Sequence, residues 1–291
     1  MTIVAVSRPV AAVCFAAAAT VLAAAPSGAA GARCGGQPVA MGLVAAPVPR
    51  DPVRPARLVV PLEGRPTAAS DAPTGVVLGG LALPASADPA IRAAVLARLD
   101  ALAGRPVVVF GRDGRRDRRG RVTGQVVVRD ADGGARWLQA DLAAAGLALA
   151  GSDGGGCAAA LARAEALSRE TGAGLFAGRG PVLGAAEPGR HDLPDFVVVE
   201  GVVASVGISG GTTYLNFGPD RRTDVTVRVV RRDSDDFEGY GRASRLAGSR
   251  IRVRGWAFDR DGPDIGPVGF EAIEVVDDGG APAKEREDDG G

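Results

Sequence analysis

The sequence predicts a mainly β protein with helices packed on it: a β-barrel plus helices, followed by a second small β-barrel. Three observations carry this expectation. Short β-branched runs bounded by Gly, Pro and charged residues recur along the chain. Helical periodicity is confined to a few segments between them. A Gly/Pro-rich stretch, 179–193, separates two β-rich blocks, and 291 residues leave room for two modest domains.

In chain order, residues 1–32 read as a signal peptide. Arg8 is a weak positive start, Val10 to Ala25 is a small-residue apolar run, and Ala30-Gly31-Ala32 fits small-x-small cleavage. That run is too short and alanine-rich for a membrane span, so none is expected in the mature chain. Residues 33–54 are rich in Gly, Pro and Ala and read as an extended lead-in. A first domain is expected over 55–178. Arg57 to Leu62 and Gly75 to Leu81 read as strands. Asp88 is a good N-cap, Pro89 suits a first turn, and Ile91, Val95, Leu96, Leu99 and Leu102 form one apolar face ended by Gly104. Pro106 to Phe110 and Val122 to Val128 are strands joined by a charged segment. Leu138 to Gly146 and Cys157 to Thr171 are helices. This order fits a five-stranded barrel of the oligonucleotide/oligosaccharide-binding type (OB-fold) with helices on it.

After the 179–193 linker, residues 194–278 read as a second OB-like β domain. Its strands are Phe196 to Val206, Thr212 to Phe217, Val225 to Val230, Ile251 to Phe258 and Phe270 to Val276, with a charged piece from Asp233 to Leu246. Residues 279–291 read as a disordered charged tail.

The chain carries 34 cations and 34 anions, and cleavage after Ala32 removes only Arg8 from that balance. Net charge therefore gives no reason to expect a general polyanion binder. Lys284 is the single lysine, a compositional bias first and a preference for bidentate anion contacts only locally. Cleavage also removes Cys14 and leaves Cys34 and Cys157. An even count in an exported chain points to one disulfide, against the alternative of two buried thiols. His191 is the one histidine and sits in the linker, which excludes a histidine-rich metal site. Gly151 to Gly156 lacks the Gly-Lys-Ser/Thr of a phosphate loop and reads as a flexible entry to a helix.

One stretch is more specific. Asp117-Arg118-Arg119-Gly120-Arg121, then a valine-rich strand, Trp137-Leu138-Gln139-Ala140-Asp141-Leu142, Glu165 in a helix, and Gly174-Leu175-Phe176 follow in that order. The series resembles the second half of a thermonuclease domain (the micrococcal, SNase-like type). The resemblance implies an SNase-like barrel over residues 55–178. It also implies where chemistry would sit: an arginine, an acidic metal ligand and a catalytic glutamate in the preceding half. Those positions are Val77, Ala82 and Ala85 here, within Val77-Leu78-Gly79-Gly80-Leu81-Ala82-Leu83-Pro84-Ala85, and no metal-binding Asp-Gly-Asp-Thr lies upstream. Arg121 is the retained family arginine. It reads either as an anion ligand or as a residue that salt-bridges at a strand start. Glu165 reads as a buried hydrogen-bonding residue. The second block is similar to the C-terminal domain of exported thermonuclease-like proteins, through Val198 to Val203 and Thr213 to Gly218.

The expected function is an exported, periplasmic or secreted protein, catalytically degenerate, that binds nucleic acid or another anionic ligand. Arg118, Arg119 and Arg121 are the candidate ligand-binding residues, within a run that also holds Arg112, Arg115 and Arg116. A solvated hairpin face is the plainer reading of that run. No metal or other cofactor is expected. The first alternative is an active calcium-dependent nuclease or phosphodiesterase whose site is rebuilt from Asp71, Asp88 or Glu63. The second is a structural envelope protein. In the second block Tyr214, Phe217, Trp256 and Phe258 could form a stacking platform beside Arg252 and Arg254; at period-two spacing Trp256 and Phe258 share one face, and core is the favoured reading.

Overall fold

The structure, a computed structural model, describes residues 34–45, 59–63, 75–84, 87–130, 132–152, 155–178, 182–184, 195–230 and 241–276. The segment read as a signal peptide, Asp71, Ala85, His191 and the C-terminal tail lie outside the described residues.

The protein is mainly β with helices. In the first block the strands are β1 (Gln37–Val44), β2 (Val59–Glu63), β3 (Gly75–Leu78), β4 (Leu81–Ala82), β5 (Pro106–Gly111), β6 (Arg121–Arg129), β7 (Ala135–Trp137) and β8 (Leu149–Ala150). The main sheet runs β3-β2-β1-β5-β6-β7, and β3 also pairs with β6 in parallel, from Gly75↔Arg121 to Leu78↔Gly124. The ladders therefore return from β6 to β3. β1 was expected to be lead-in, yet it lies between β2 and β5 and holds Gln37 against Gly111.

Helix α1 (Pro89–Asp100) starts as its sequence requires: Asp88 Oδ1 accepts the Ala90 N–H at 2.7 Å, and Pro89 occupies the first turn. Val95, Leu99 and Leu102 are buried in a core with Val60, Leu78, Val109 and Val126. Helices α2 (Leu138–Ala144) and α3 (Ala158–Thr171) pack on each other, and α3 ends at Gly172 in a left-handed cap.

The second block contains β9 (Val182–Gly184), β10 (Phe196–Val202), β11 (Ser205–Ser209), β12 (Thr212–Asn216), β13 (Thr226–Val230), β14 (Arg250–Asp259), β15 (Pro263–Val268) and β16 (Ile273–Val275). Its order is β11-β12-β13-β15-β14-β10-β9, with β13 and β15 parallel. β10 and β11 are separated only by Val203 and Ala204, so the last strand but one of the run leads directly along the chain into its first strand. β9 falls in the segment read as linker and pairs with β10. β15 was not expected. Leu215, Val227, Val229, Ile251, Val253 and Ile265 form the core.

A third apolar cluster joins the blocks. Ala82 and Leu149, from paired strands β4 and β8, and Phe176 meet Phe196 and Val198 of β10, with Trp256 at the edge. Phe196 and Trp256 make an edge-to-face contact at 5.2 Å.

Candidate functional site

The motif residues of the first block build structure before anything else. Asp117 Oδ1 accepts the backbone N–H groups of Arg119 at 2.9 Å and Arg121 at 3.0 Å, and Gly120 takes φ +72° to close the turn. The Arg121 guanidinium doubles back on the same aspartate, Nη2 to Oδ2 at 2.6 Å and Nε to Oδ2 at 2.8 Å. Partial desolvation pushes the Asp117 carboxyl up. The hydrogen bonds from the Arg121 side chain and the two backbone N–H groups outweigh it and hold the acid below its ordinary range. Arg121 thus salt-bridges at a strand start, the plainer of its two readings, and its side chain is 13% exposed.

The Trp-Leu-Gln phrase is also architectural. Trp137 Nε1 donates to Gln125 Oε1 at 3.0 Å, and Gln125 Nε2 donates to the Gly79 carbonyl at 3.0 Å. Gln139 accepts the Val126 N–H and donates to the Gly124 carbonyl, at 3.0 and 2.8 Å. Both glutamines are buried with these partners, as buried amides must be. They lock α2 onto β6 where β6 meets β3.

The positions where the resemblance places chemistry are apolar and enclosed. Val77 is buried in β3, between Val59 and Thr123. Ala82 is buried in the junction under Phe196 and Val198, so the second block covers that position. Ala85 lies outside the described residues. Arg118 and Arg119 are exposed in the loop between β5 and β6, with Arg112, Arg115 and Arg116. Six arginines face two aspartates, Asp113 and Asp117, over 111–121. Among the described residues no three His, Cys, Asp or Glu side chains converge as a cation would require. Asp88 is occupied as the cap of α1.

Cys34 and Cys157 form a disulfide, with Cα atoms 4.9 Å apart. It fastens the start of β1 to the N-cap of α3.

Glu165 is buried, as expected, but with a partner that sequence reasoning missed. Its Oε2 accepts the Ala150 N–H at 2.7 Å, while Oε1 faces Arg169 at 3.3 Å and Arg254 of the second block at 3.0 Å. Arg252 is likewise buried, between Glu200 at 2.7 Å and Glu274 at 3.1 Å. Neither arginine stands beside a stacking platform. Phe217 and Trp256 pack inward, but Phe258 is 43% exposed, which corrects the expectation that it shares the core with Trp256. The strand has left the core by that point, and Arg260 lies over the Phe258 ring at 5.9 Å.

A cleft of about 550 Å³ opens on the second block, between the β11–β12 turn and the β14–β15 turn. Tyr214, Asn216 and Thr226 line its floor, and Arg221, Arg260 and Asp261 its rim. No described helix is long and apolar enough to cross a membrane.

No protein-family model matches this chain, and no curated protein matches it. Among solved structures it is similar in part to an OBody, AM1L10, bound to hen egg-white lysozyme, at 22% identity and a TM-score of 0.22, covering 28% of this chain and 79% of that one. It is similar in part to asparaginyl-tRNA synthetase from Pyrococcus horikoshii, at 22% identity and a TM-score of 0.22, covering 31% of this chain and 20% of the synthetase. The chain therefore spans about a fifth of the synthetase's length. Likenesses this partial carry no argument about either the fold or the function.

Proposed function

We propose that this is an exported thermonuclease-like protein without thermonuclease chemistry, built on two OB-type barrels, whose arginine loop binds nucleic acid or another polyanion. In the first block the strand pairing supports the barrel reading, because the sequence β1-β2-β3-β6-β5-β1 runs back to its start. The binding reading rests on one observation above the rest. Arg115, Arg116 and Arg118 are exposed together on the loop between β5 and β6, which carries five arginines against two aspartates. The catalytic half of the family pattern offers nothing equivalent: Val77 and Ala82 are buried apolar residues where an arginine and a metal ligand would act. A general base and each charge-stabilising group contribute about 10²–10⁴-fold to such reactions.

The test has two arms on the full exported chain. A calcium-supplemented digest of single-stranded DNA should leave the substrate intact; cleavage abolished by Arg121→Ala would give the active-nuclease reading the lead. Binding of a single-stranded oligonucleotide should weaken steeply with salt. Replacing Arg115, Arg116 and Arg118 by Ala should lower the slope of log K against log salt by about 2. A wild-type protein without salt-sensitive binding favours a structural envelope role.

A further inference from the structure

Three arginines of β14 lie on one face of the strand, because Arg250, Arg252 and Arg254 alternate with the core residues Ile251 and Val253. Register decides which of them meets an acid. Arg252 lies opposite Glu200 on β10 and Glu274 on β16, whereas Arg250 lies opposite Val202 and Arg254 opposite Val198. Arg250 leans onto Glu200 and shares it with Arg252. Arg254 has no acid opposite it in the sheet and takes one from the first block, Glu165 of α3, at 3.0 Å. That acid already serves Arg169, one helical turn on. Both guanidiniums fall on the same oxygen, Oε1, while Oε2 accepts the Ala150 N–H. Among the described residues, then, four guanidiniums meet three carboxylates, and the surplus cation lies at Glu165.

The hydrogen bonds locate that surplus on one edge of one side chain. Arg252 puts Nε and Nη2 on Glu200 Oε2, at 3.1 and 2.7 Å. Arg250 puts the same two nitrogens on Oε1, at 3.2 and 3.0 Å. Arg254 has the same edge but uses only Nη2; its Nε is buried with no partner among the described residues. The Arg254 side chain is 6% exposed, and that of Arg169 is 21% exposed. A buried donor on a charged group that makes no hydrogen bond costs free energy. Burial also pushes the Arg169 guanidinium below its ordinary range, and Arg252 and Arg254 add to that against Glu165 and Glu274.

We infer that this corner of the junction binds one small oxyanion of the phosphate or sulfate type, held by the Nε edge of Arg254 from the second block and by Arg169 from the first. An oxyanion matches the planar fork of a guanidinium with two oxygens at once, which a halide does not. A neutral acceptor would satisfy the Nε–H and leave the surplus cation uncompensated. The burial of Arg254 limits the ligand to a few atoms, entering beside Arg169, whose side chain reaches solvent. Each block supplies one cation, so the bound ion ties the blocks together. The site lies apart from the arginine loop and does not depend on what that loop binds.

Isothermal titration of the full exported chain tests it, in a buffer without phosphate or sulfate, with sodium phosphate, sodium sulfate and sodium chloride as probes at matched ionic strength. Phosphate or sulfate should saturate one site per chain, and chloride should not displace it. Arg254→Lys keeps a cation but loses the fork. Arg169→Gln removes the second cation from a partly exposed position, which guards against a folding defect in one variant. Each should weaken binding about tenfold or more. Saturating phosphate should raise the urea midpoint of the wild type, and that rise should shrink in both variants. Binding that survives in both variants overturns the proposal; if it is then lost on replacing Arg115, Arg116 and Arg118 by Ala, it belongs to the loop. Absence of saturable binding of either oxyanion below about 10 mM also overturns it.

Discussion

Replacing Glu165 tests how the two blocks hold each other. Its side chain is 0% exposed and that of Arg254 is 6% exposed, and they meet at 3.0 Å across the junction. Glu165→Leu strands the Arg254 guanidinium in a buried site and removes the acceptor of the Ala150 N–H. Leaving one charge of a buried pair without its partner costs about 3–5 kcal/mol. For a chain of this size that corresponds to a fall in the melting midpoint of about 6–20 °C. Glu165→Gln separates the two contributions, because its amide oxygen still accepts from Ala150 while the charge is gone. The lost backbone bond alone is worth about 1–3 kcal/mol, so Gln should recover that much over Leu. Removing both charges, as Glu165→Leu with Arg254→Met, should restore much of the stability. The native pair already bears a desolvation cost, visible in the Arg254 Nε, which is buried with no hydrogen-bond partner. Urea unfolding followed by tryptophan fluorescence reads this directly, since Trp137 sits in the first core and Trp256 at the junction. Single-variant losses below about 1 kcal/mol, or strict additivity of the two substitutions, would refute the claim that this pair couples the blocks.

The disulfide and Glu200 give three further outcomes. Protein cleaved after Ala32, denatured without reductant, should show no free thiol, because Cys34 and Cys157 are paired. Cys157→Ser should cost up to about 5 kcal/mol, since the bridge spans a sequence separation of 123 residues. For Glu200, burial pushes the carboxyl up, but the hydrogen bonds and charges of Arg252 and Arg250 outweigh it and hold the pKa below the ordinary value. A depressed acid adds stability that is fully present above the unfolded pKa of about 4.3 and is lost as pH falls through the folded value. The urea midpoint should therefore drop over that acid window in the wild type, and Glu200→Gln should flatten the drop; an unchanged acid limb in the variant would remove Glu200 from the account.

Local signals were legible where a residue's role is set by its near neighbours. Asp88 and Pro89 fix the start of α1 through a bond two residues long, and the Val95 and Leu99 face is visible at helical spacing. The buried character of Glu165 was within reach only through the thermonuclease-like resemblance, which implies a hydrogen-bonding glutamate in that helix. The two missed strands fail for opposite reasons. β1 carries Gly and Pro, and its Met41 and Leu43 are exposed, so the strand lacks the alternating buried face that marks one in sequence. Its place comes from β2 and β5 on either side. β15 holds Pro263 and Pro267, which read as loop, yet it pairs in parallel with β13 and antiparallel with β14.

The candidate site shows the same division more sharply. The Asp117–Arg121 turn and the arginine run are contiguous in sequence, so their charge was visible, although the use of Arg121 to close its own turn was one of two readings. The junction and the cleft are made of residues brought together from across the chain. Arg254 reaches Glu165 over a separation of 89 residues, and Asp264 reaches Arg228 over 36. Nothing local tells a buried, paired arginine from an exposed one, because both stand on a valine-rich strand with the same period. For that reason the sequence left a platform beside Arg252 and Arg254 open as an alternative, and only the period-two spacing of Trp256 and Phe258 spoke against it. Their acids, Glu200, Glu274 and Glu165, reach them only once the sheet is assembled and α3 is laid against it. The cleft inverts this: its aspartates, Asp261 and Asp264, face Arg221, Arg222 and Arg228, cations that look unpaired in the sequence, so its electrostatics come from the pairing and not from the composition.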